Sequence, residues 1–346
     1  MPEQGALIQP VRVFPWRSAA PLLTWLASPW VTLGSIAATA AAAVASVSLG
    51  WGATWTLAAP LTVFTVNLAM AAVTHPKLRG DPVLLSFHLA LAAFVLLAAL
   101  GRMTYLKGQV EVTESAKFDA AHAGIENGPW HINRLGETRF FNEGMVIEYD
   151  AQRVRGETYN QVRWLDDGGR WRTTVIGDEY PLVINGYRFY TTGNKGFAPV
   201  FTWRAKGGAP VSGSVHLPGY PLHEARQETV WNPPAGPSIH IRLAFDEEIL
   251  DPARPSVFRV PQRPRALVTA EGSRATLLPG ETMALVSGEL RFDAVSTWMG
   301  YSISYDPAKP WLLAALLTAT VALAWRLASR WRAEPWMDTP KPEQGA

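Results

Sequence analysis

From Ser18 through Thr74 the chain contains no Asp, Glu, Lys or Arg. A secretory signal has an apolar core of only roughly 7–15 residues, whereas a helix that crosses a bilayer needs about 20. The uncharged run therefore holds two membrane spans. They are divided at Gly50-Trp51-Gly52-Ala53-Thr54-Trp55, where glycines permit a turn and the two indoles suit a membrane–water interface. The pattern predicts helices over about Trp30–Leu49 and Thr54–Val73. The polar connector His75–Pro82 follows, and then a third helix over about Val83–Leu100. A fourth apolar run, Pro310–Leu327, is the shortest, with Lys309 and Arg326 placed to reach the two surfaces.

Flanking Lys and Arg residues orient the spans, because short cytoplasmic segments collect positive charge. Arg12 and Arg17 precede the first helix, Lys77 and Arg79 separate the second from the third, and Arg326, Arg330 and Arg332 end the fourth. All of them share one side if both termini are cytoplasmic. The expected organisation is a cytoplasmic segment 1–29, a three-helix membrane region 30–101, an extracytoplasmic domain 102–309, a fourth span 310–327 and a cytoplasmic tail 328–346. In a bacterium this is a multi-pass protein of the inner (plasma) membrane with its large domain in the periplasm or outside the cell. Charged residues make up 17% of the chain, against about 25% in soluble domains, and the 15 Trp suit a protein in contact with lipid. A net charge of +2 without a basic run gives no reason to expect a nucleic-acid partner. The absence of Cys excludes disulfides, thiolate metal sites, thioether attachment of a cofactor and thiol–disulfide exchange.

The segment between the third and fourth helices reads as all β, a sandwich or open barrel. Apolar and polar residues alternate over Gln109–Thr113, Met145–Tyr149, Arg170–Ile176, Pro199–Trp203, Ser238–Phe245 and Glu289–Phe292, the mark of strands with one buried face. Turn signals fall between them at Asp167-Gly-Gly169, Asn185-Gly186, Gly207-Gly208 and Pro233–Pro237.

Chemistry-bearing residues are few. His88 is the ionisable side chain that sits well inside a predicted span, roughly 8 Å from the cytoplasmic end of its helix at about 1.5 Å per residue. Polar groups in hydrocarbon face a partner, a cavity or a ligand, and neutral imidazole is a common axial ligand of haem iron. The residues alone favour a structural histidine, bonded to Ser86, Asn67 or a backbone carbonyl of a neighbouring helix. Asn67, an amide inside a span, reads as helix–helix glue. His75 reads as a solvated loop residue that could help a ligand enter. His122, His131, His216, His223 and His240 lack the spacing of a metal site and read as ordinary surface or strand residues. The adjacent acids Asp166-Asp167 and Glu247-Glu248 point to opposite faces of a strand. No catalytic motif occurs, so an enzyme acting alone is not expected, and any catalysis belongs to a complex.

Several patches carry a family resemblance. They are Phe87-His-Leu-Ala-Leu-Ala-Ala-Phe-Val-Leu-Leu-Ala-Ala-Leu-Gly101 with Tyr105-Leu-Lys-Gly-Gln-Val110, then Pro181-Leu-Val-Ile-Asn-Gly-Tyr-Arg-Phe-Tyr-Thr-Thr192, and Ser304-Tyr-Asp-Pro307 before the last helix. Together with the order of three helices, large domain and one helix, they resemble the ResB family, the membrane subunit of System II cytochrome c maturation. The chain is shorter than typical members, and Ala308 follows Asp306-Pro307 where that family has Gly. The resemblance implies a haem-handling and scaffolding subunit that moves haem across the membrane with a partner of the CcsA or ResC type. It implies His88 as an axial ligand of haem iron, the haem being haem b held transiently and non-covalently and the second ligand coming from the partner. Apocytochrome c and thiol-reducing factors are the further partners it implies. The alternative is a membrane-tethered extracytoplasmic binding or chaperone module without haem.

Overall fold

A computed structural model describes residues 16–221 and 226–333. These residues fall into two compact units, one built from residues up to 105, 128–130 and from 306 onward, the other from 106–127 and 131–305.

The first unit is helical: α1 (Trp16–Leu26), α2 (Pro29–Ser48), α3 (Ala53–Thr74), the single turn α4 (Pro76–Arg79), α5 (Pro82–Thr104) and α6 (Lys309–Ala333). Four of these helices are long and apolar enough to cross a membrane: Pro29–Ser48, Thr54–Thr74, Pro82–Thr104 and Lys309–Arg332. Two of them start where a capping side chain precedes a proline. Ser28 accepts from the Trp30 N–H ahead of Pro29, and Asp81 accepts from the Leu84 N–H at 2.9 Å ahead of Pro82. Two features differ from the sequence reading. The segment before the first span contains α1, which carries Pro21 inside it and covers only about 16 Å, too short to cross. The fourth span is not the shortest but the longest, at 25 residues. It runs past Arg326, whose guanidinium pairs with Asp81 at the start of α5. The Leu84 N–H and then Arg326 hold the Asp81 carboxyl below the usual carboxylate range.

That ion pair fixes α5 and α6 as antiparallel neighbours. At the opposite end Gly101 of α5 faces Ala308, whose Cβ would lie 3.4 Å from a Cβ built on the glycine. The basic residues Lys77, Arg79 and Arg326 thus share one end of the unit. The short stretch 128–130 closes the other end, its Gly128 and Trp130 N–H groups donating to the carbonyls of Tyr105 and Met103 at 2.9 and 2.8 Å. Those carbonyls lie at the end of α5 and beyond it, where no helical partner remains. Only glycine fits at 128, where a Cβ would come within 2.3 Å of the Met103 oxygen. Exposed indoles mark both ends, Trp30, Trp325 and Trp331 at one and Trp51, Trp55 and Trp311 at the other, as two interfacial belts require.

The second unit is all β. In chain order it holds β1 (Leu106–Thr113), β2 (Gly124–Asn127), β3 (Phe140–Tyr149), β4 (Arg155–Leu165) and β5 (Trp171–Ile176). There follow β6 (Leu182–Ile184), β7 (Tyr187–Ala205), β8 (Val211–Ser214), β9 (Glu228–Trp231) and β10 (Ile239–Ala244). The last are β11 (Ser256–Val257), β12 (Arg265–Ala270), β13 (Ser273–Leu277), β14 (Thr282–Ala284) and β15 (Gly288–Tyr305). Every strand and turn read from the sequence is present, and among the described residues helix in this unit is confined to two short 3-10 turns.

The long strands β7 and β15 pair antiparallel along nearly their whole length, from Gly288↔Ala205 to Ser304↔Arg188. They form the spine of a seven-stranded sheet of order β2-β1-β15-β7-β6, with β14 on β15 and β8 on β7. Two four-stranded sheets, β11-β3-β4-β5 and β13-β12-β10-β9, supply the opposing layers, and no barrel closes. One core joins Tyr187, Phe189, Tyr301 and Ile303 of the spine to Phe140, Val162 and Ile176. A second joins Phe201, Trp203, Leu290 and Phe292 to Ile239, Ile241, Ala266 and Val268. A third cluster, around Phe197, Tyr220 and Phe258, contains the middle of the spine. The result is two sandwiches sharing one ribbon. Each fully buried Phe contributes roughly 1.5–3 kcal/mol; Phe118 and Phe140 stack with centroids at 5.0 Å, and Phe140 and Phe189 meet edge to face at 5.1 Å. A buried polar chain fixes the first sandwich. The Tyr301 hydroxyl donates to Asn160 at 2.7 Å, Asn160 donates to Asn142 at 2.7 Å, and Asn142 donates to the Val112 carbonyl at 2.9 Å, so none of these groups is left unsatisfied.

Candidate functional site

The helical unit contains a groove of about 900 Å³ whose walls come from α2, α3, α4, α5 and the residue that joins α1 to α2. Its surface is mostly apolar, from Pro29, Leu33, Leu68, Ala71, Leu78 and Leu84, and its polar groups are His75, Lys77, His88, Asn67 and Thr32. A concave, largely apolar cleft with a few convergent polar groups is the usual form of a small-molecule site.

His88 lies on the second turn of α5 and is half-buried. Its Nδ1 is 2.8 Å from the Leu84 carbonyl oxygen, one turn back on the same helix. A carbonyl only accepts, so Nδ1 carries the proton and Nε2 presents its lone pair. Among the described residues Nε2 has no hydrogen-bond partner, and the Phe87 ring packs edge-on against the imidazole with centroids at 5.3 Å. Histidines that bind metal show this arrangement: one ring nitrogen donates to a backbone carbonyl, which fixes tautomer and orientation, and the other is left free. None of the three partners considered for a structural His88 is used. Ser86 donates to Pro82 at 2.8 Å, Asn67 is engaged elsewhere, and the carbonyl belongs to α5 itself.

Asn67 is glue, as its sequence context suggests. It is 1% exposed. Its amide donates to the carbonyls of Leu26 at 2.6 Å and Ser28 at 3.1 Å, and its carbonyl accepts from the Thr32 hydroxyl at 2.7 Å. All its capacity goes into holding α1 and α2 against α3, which shapes one wall of the groove.

His75 ends α3 and begins α4. Its N–H donates to Ala71, and its carbonyl accepts from Leu78. The side chain is exposed, as the sequence suggests, but it lines the same groove as His88, which connector position alone does not reveal. Pro76 starts a new turn directly after it and folds the connector back over the groove.

The other histidines lie in the β unit. His240 is exposed on β10, and His122 is exposed with Nδ1 3.4 Å from Asp119. His223 lies outside the described residues. His131 and His216 are more than surface residues. The first places Nε2 2.9 Å from the Tyr187 hydroxyl and packs edge-on against Tyr305. The second bridges Glu111 (3.0 Å) and Thr113 (2.8 Å) while stacking on Trp298. Among the described residues no group of three or more His, Asp or Glu converges as a metal site. Three of the four adjacent acids pair with arginines, Asp166 with Arg172, Glu247 with Arg259 and Glu248 with Arg153.

No curated protein matches the chain. A family model described as the ResB-like family matches residues 83–339, a span that takes in α5 with His88, the whole β unit and α6. With three apolar helices before a β domain in the chain, one after it, and most of its length matched, the chain belongs to the ResB-like family, which is associated with cytochrome c biogenesis.

Proposed function

We propose that this protein is a haem-handling and scaffolding subunit of a System II cytochrome c maturation complex, with haem b as its transient cargo. The observation that carries this reading is the His88 imidazole, oriented by Leu84 with Nε2 free, in an apolar groove large enough for a planar macrocycle. A haem in that groove would be held by the neutral His88 imidazole, which would supply a ligand to its iron. The chain's own residues do the rest. Leu84 holds the ring, the Asn67 cluster holds the wall, and Leu33, Leu68 and Leu78 exclude water. The basic residues Lys77, Arg79 and Arg326 support a cytoplasmic location for the helix ends that carry them, and with it an extracytoplasmic β unit. There its surfaces are available to a CcsA- or ResC-type partner, to apocytochrome c and to thiol-reducing factors. With no Cys in the chain, haem bound here is handed on rather than fixed to this polypeptide.

The test is made in cells that depend on the complex. His88→Ala lowers the yield of c-type cytochromes while the protein still inserts, and added imidazole restores part of the yield by filling the vacated coordination position. A reporter active only outside the cytoplasm gives signal when fused after Lys195 and none after Lys77. Normal cytochrome yield from His88→Ala, or the reverse reporter pattern, overturns the proposal.

A further inference from the structure

We propose that β5 (Trp171–Ile176) is a docking edge for an extended polypeptide segment, which adds to the sheet as a fifth strand and seats a Lys or Arg side chain in the pocket at the end of β5. The inference concerns the β unit alone and stands apart from the haem reading of the helical unit.

Folded proteins guard a sheet edge with a short strand, with Lys or Pro, with a bulge or with a cover. Among the described residues the other edge strands, β2, β6, β8, β9, β11, β13 and β14, hold two to five residues. β5 holds six and pairs with β4 on one side only, from Leu165↔Trp171 to Asn160↔Ile176 without a register shift. It contains neither Lys nor Pro, and Asp166 holds the guanidinium of its single arginine, Arg172, at 2.7 Å. No described residue covers it: Trp171 and Val175 are 47% and 56% exposed. The free edge of β5 therefore presents backbone N–H and C=O groups to solvent, and the partner that satisfies a row of them is another strand.

The wet face of the sheet specifies what that strand carries. Successive side chains alternate between faces, so Trp171, Thr173 and Val175 lie together on the side away from buried Ile176. At one end Trp171 packs 5.5 Å from Phe141, and the Arg163 guanidinium lies 4.6 Å from the Phe141 ring and 5.1 Å from that of Trp171. This shelf reaches the free edge and suits an apolar or aromatic side chain. At the other end is a mostly apolar pocket of about 290 Å³, formed by Val175 and Ile176, the turn 177–180 and the start of β4 at 156–159. Its charged groups are Glu157, Asp178 and Glu179, with no Lys or Arg. Arg155 holds Asp178 at 2.7 Å, and Glu157 accepts from the Tyr159 hydroxyl at 2.7 Å. Glu179 has no partner among the described residues. Apolar walls with an unspent carboxylate fit the methylene stem and cationic tip of Lys or Arg. Trp171 and Val175 stand four residues apart, about 13 Å along the strand, so the incoming segment carries its apolar and cationic side chains at the same spacing.

The experiment uses the full-length chain in detergent and a fluorescein-labelled synthetic peptide of alternating Thr and Val, read by fluorescence anisotropy. A Phe and a Lys sit four residues apart in the peptide, and both sequence orders are made, one for antiparallel and one for parallel addition. One order binds saturably, and replacing its Lys by Glu weakens binding at least tenfold. N-methylation of alternate amides removes the donors along one edge of the peptide and leaves its side chains intact. Of the two alternate sets, one weakens binding at least tenfold. Val175→Lys, at an exposed position that the fold tolerates, weakens binding as much by like-charge repulsion, whereas Val175→Thr binds as the unmodified chain does. No saturable binding of either order, equal binding of the Lys and Glu peptides, indifference to both methylated sets, or unchanged affinity in Val175→Lys each overturns the proposal. So does a chain that sedimentation shows to be a dimer broken by Val175→Lys, since a second copy then occupies the edge.

Discussion

Replacing Asn67 by Leu keeps the side chain's size and removes its hydrogen bonds, so it measures how strongly the groove wall is held. Three bonds are lost, to Leu26, Ser28 and Thr32. Hydrogen bonds between membrane helices average about 0.6 kcal/mol and reach about 1.7 kcal/mol, so the loss should be about 2 kcal/mol. The Leu26 carbonyl sharpens the expectation, since it lies at the C-terminal end of α1 and has no helical partner to fall back on. A double-mutant cycle with Thr32→Val isolates the Thr32–Asn67 bond, with an expected coupling of about 0.6 kcal/mol. Reversible unfolding in mixed micelles supplies all four stabilities. The wall should also loosen, so the Asn67→Leu protein should bind haem more weakly without a change in coordination. A total loss under about 0.5 kcal/mol, with no coupling to Thr32, would show that Asn67 does not hold α2 against α3 and would refute the reasoning.

Two further predictions concern the β unit. Lys195 is 3% exposed in the middle of β7, its ammonium 5.0 Å from the Tyr149 ring and 5.8 Å from that of Phe258. Burial, helped by nearby Arg155, lowers its pKa to about 8, so above that pH the unfolded chain binds the extra proton and stability rises with pH up to the unfolded value. Between pH 7.5 and 9.5 the gain should be roughly 2 kcal/mol in denaturant unfolding followed by Trp fluorescence, and Lys195→Met should abolish the rise. Gly196 pairs with Trp298 across the spine, and a Cβ there would lie 2.7 Å from the indole nitrogen. Gly196→Ala should therefore cost about 1–3 kcal/mol in the same assay and disturb the bond from that indole to Leu217, now 3.1 Å; an unchanged midpoint would show that the indole yields freely.

What the sequence made legible follows from where each face of the chain lies. The spans were readable because lipid demands unbroken apolar stretches, and strands such as β10 because one face is buried and the other wet. The continuity of β7 and β15 was hidden. Their middle portions, Lys195–Pro199 and Thr297–Tyr301, are buried on both faces, which erases the period of two and left only their ends visible as short strands. Lys195 was hidden for the same reason, since a lysine in such a stretch gives no sign of burial. α1 was missed because Pro21 reads as a breaker, and α6 was cut short because Arg326 reads as the end of a span. His88 stood out as an ionisable group inside a span, but its tautomer depends on a bond to its own helix that any helical histidine could make. His75 read as a loop residue because its place in the groove comes from the turn at Pro76, a tertiary effect absent from local pattern.

The central claim is that the His88 imidazole binds haem iron. Its most direct test is the dissociation constant for haemin of the full chain and of His88→Ala, measured side by side by equilibrium titration in detergent. Disturbing a group that merely supports a metal ligand costs about 10–100-fold in affinity, so loss of the ligand itself should weaken binding by at least the upper end of that range. Equal affinities in the two proteins would contradict the account.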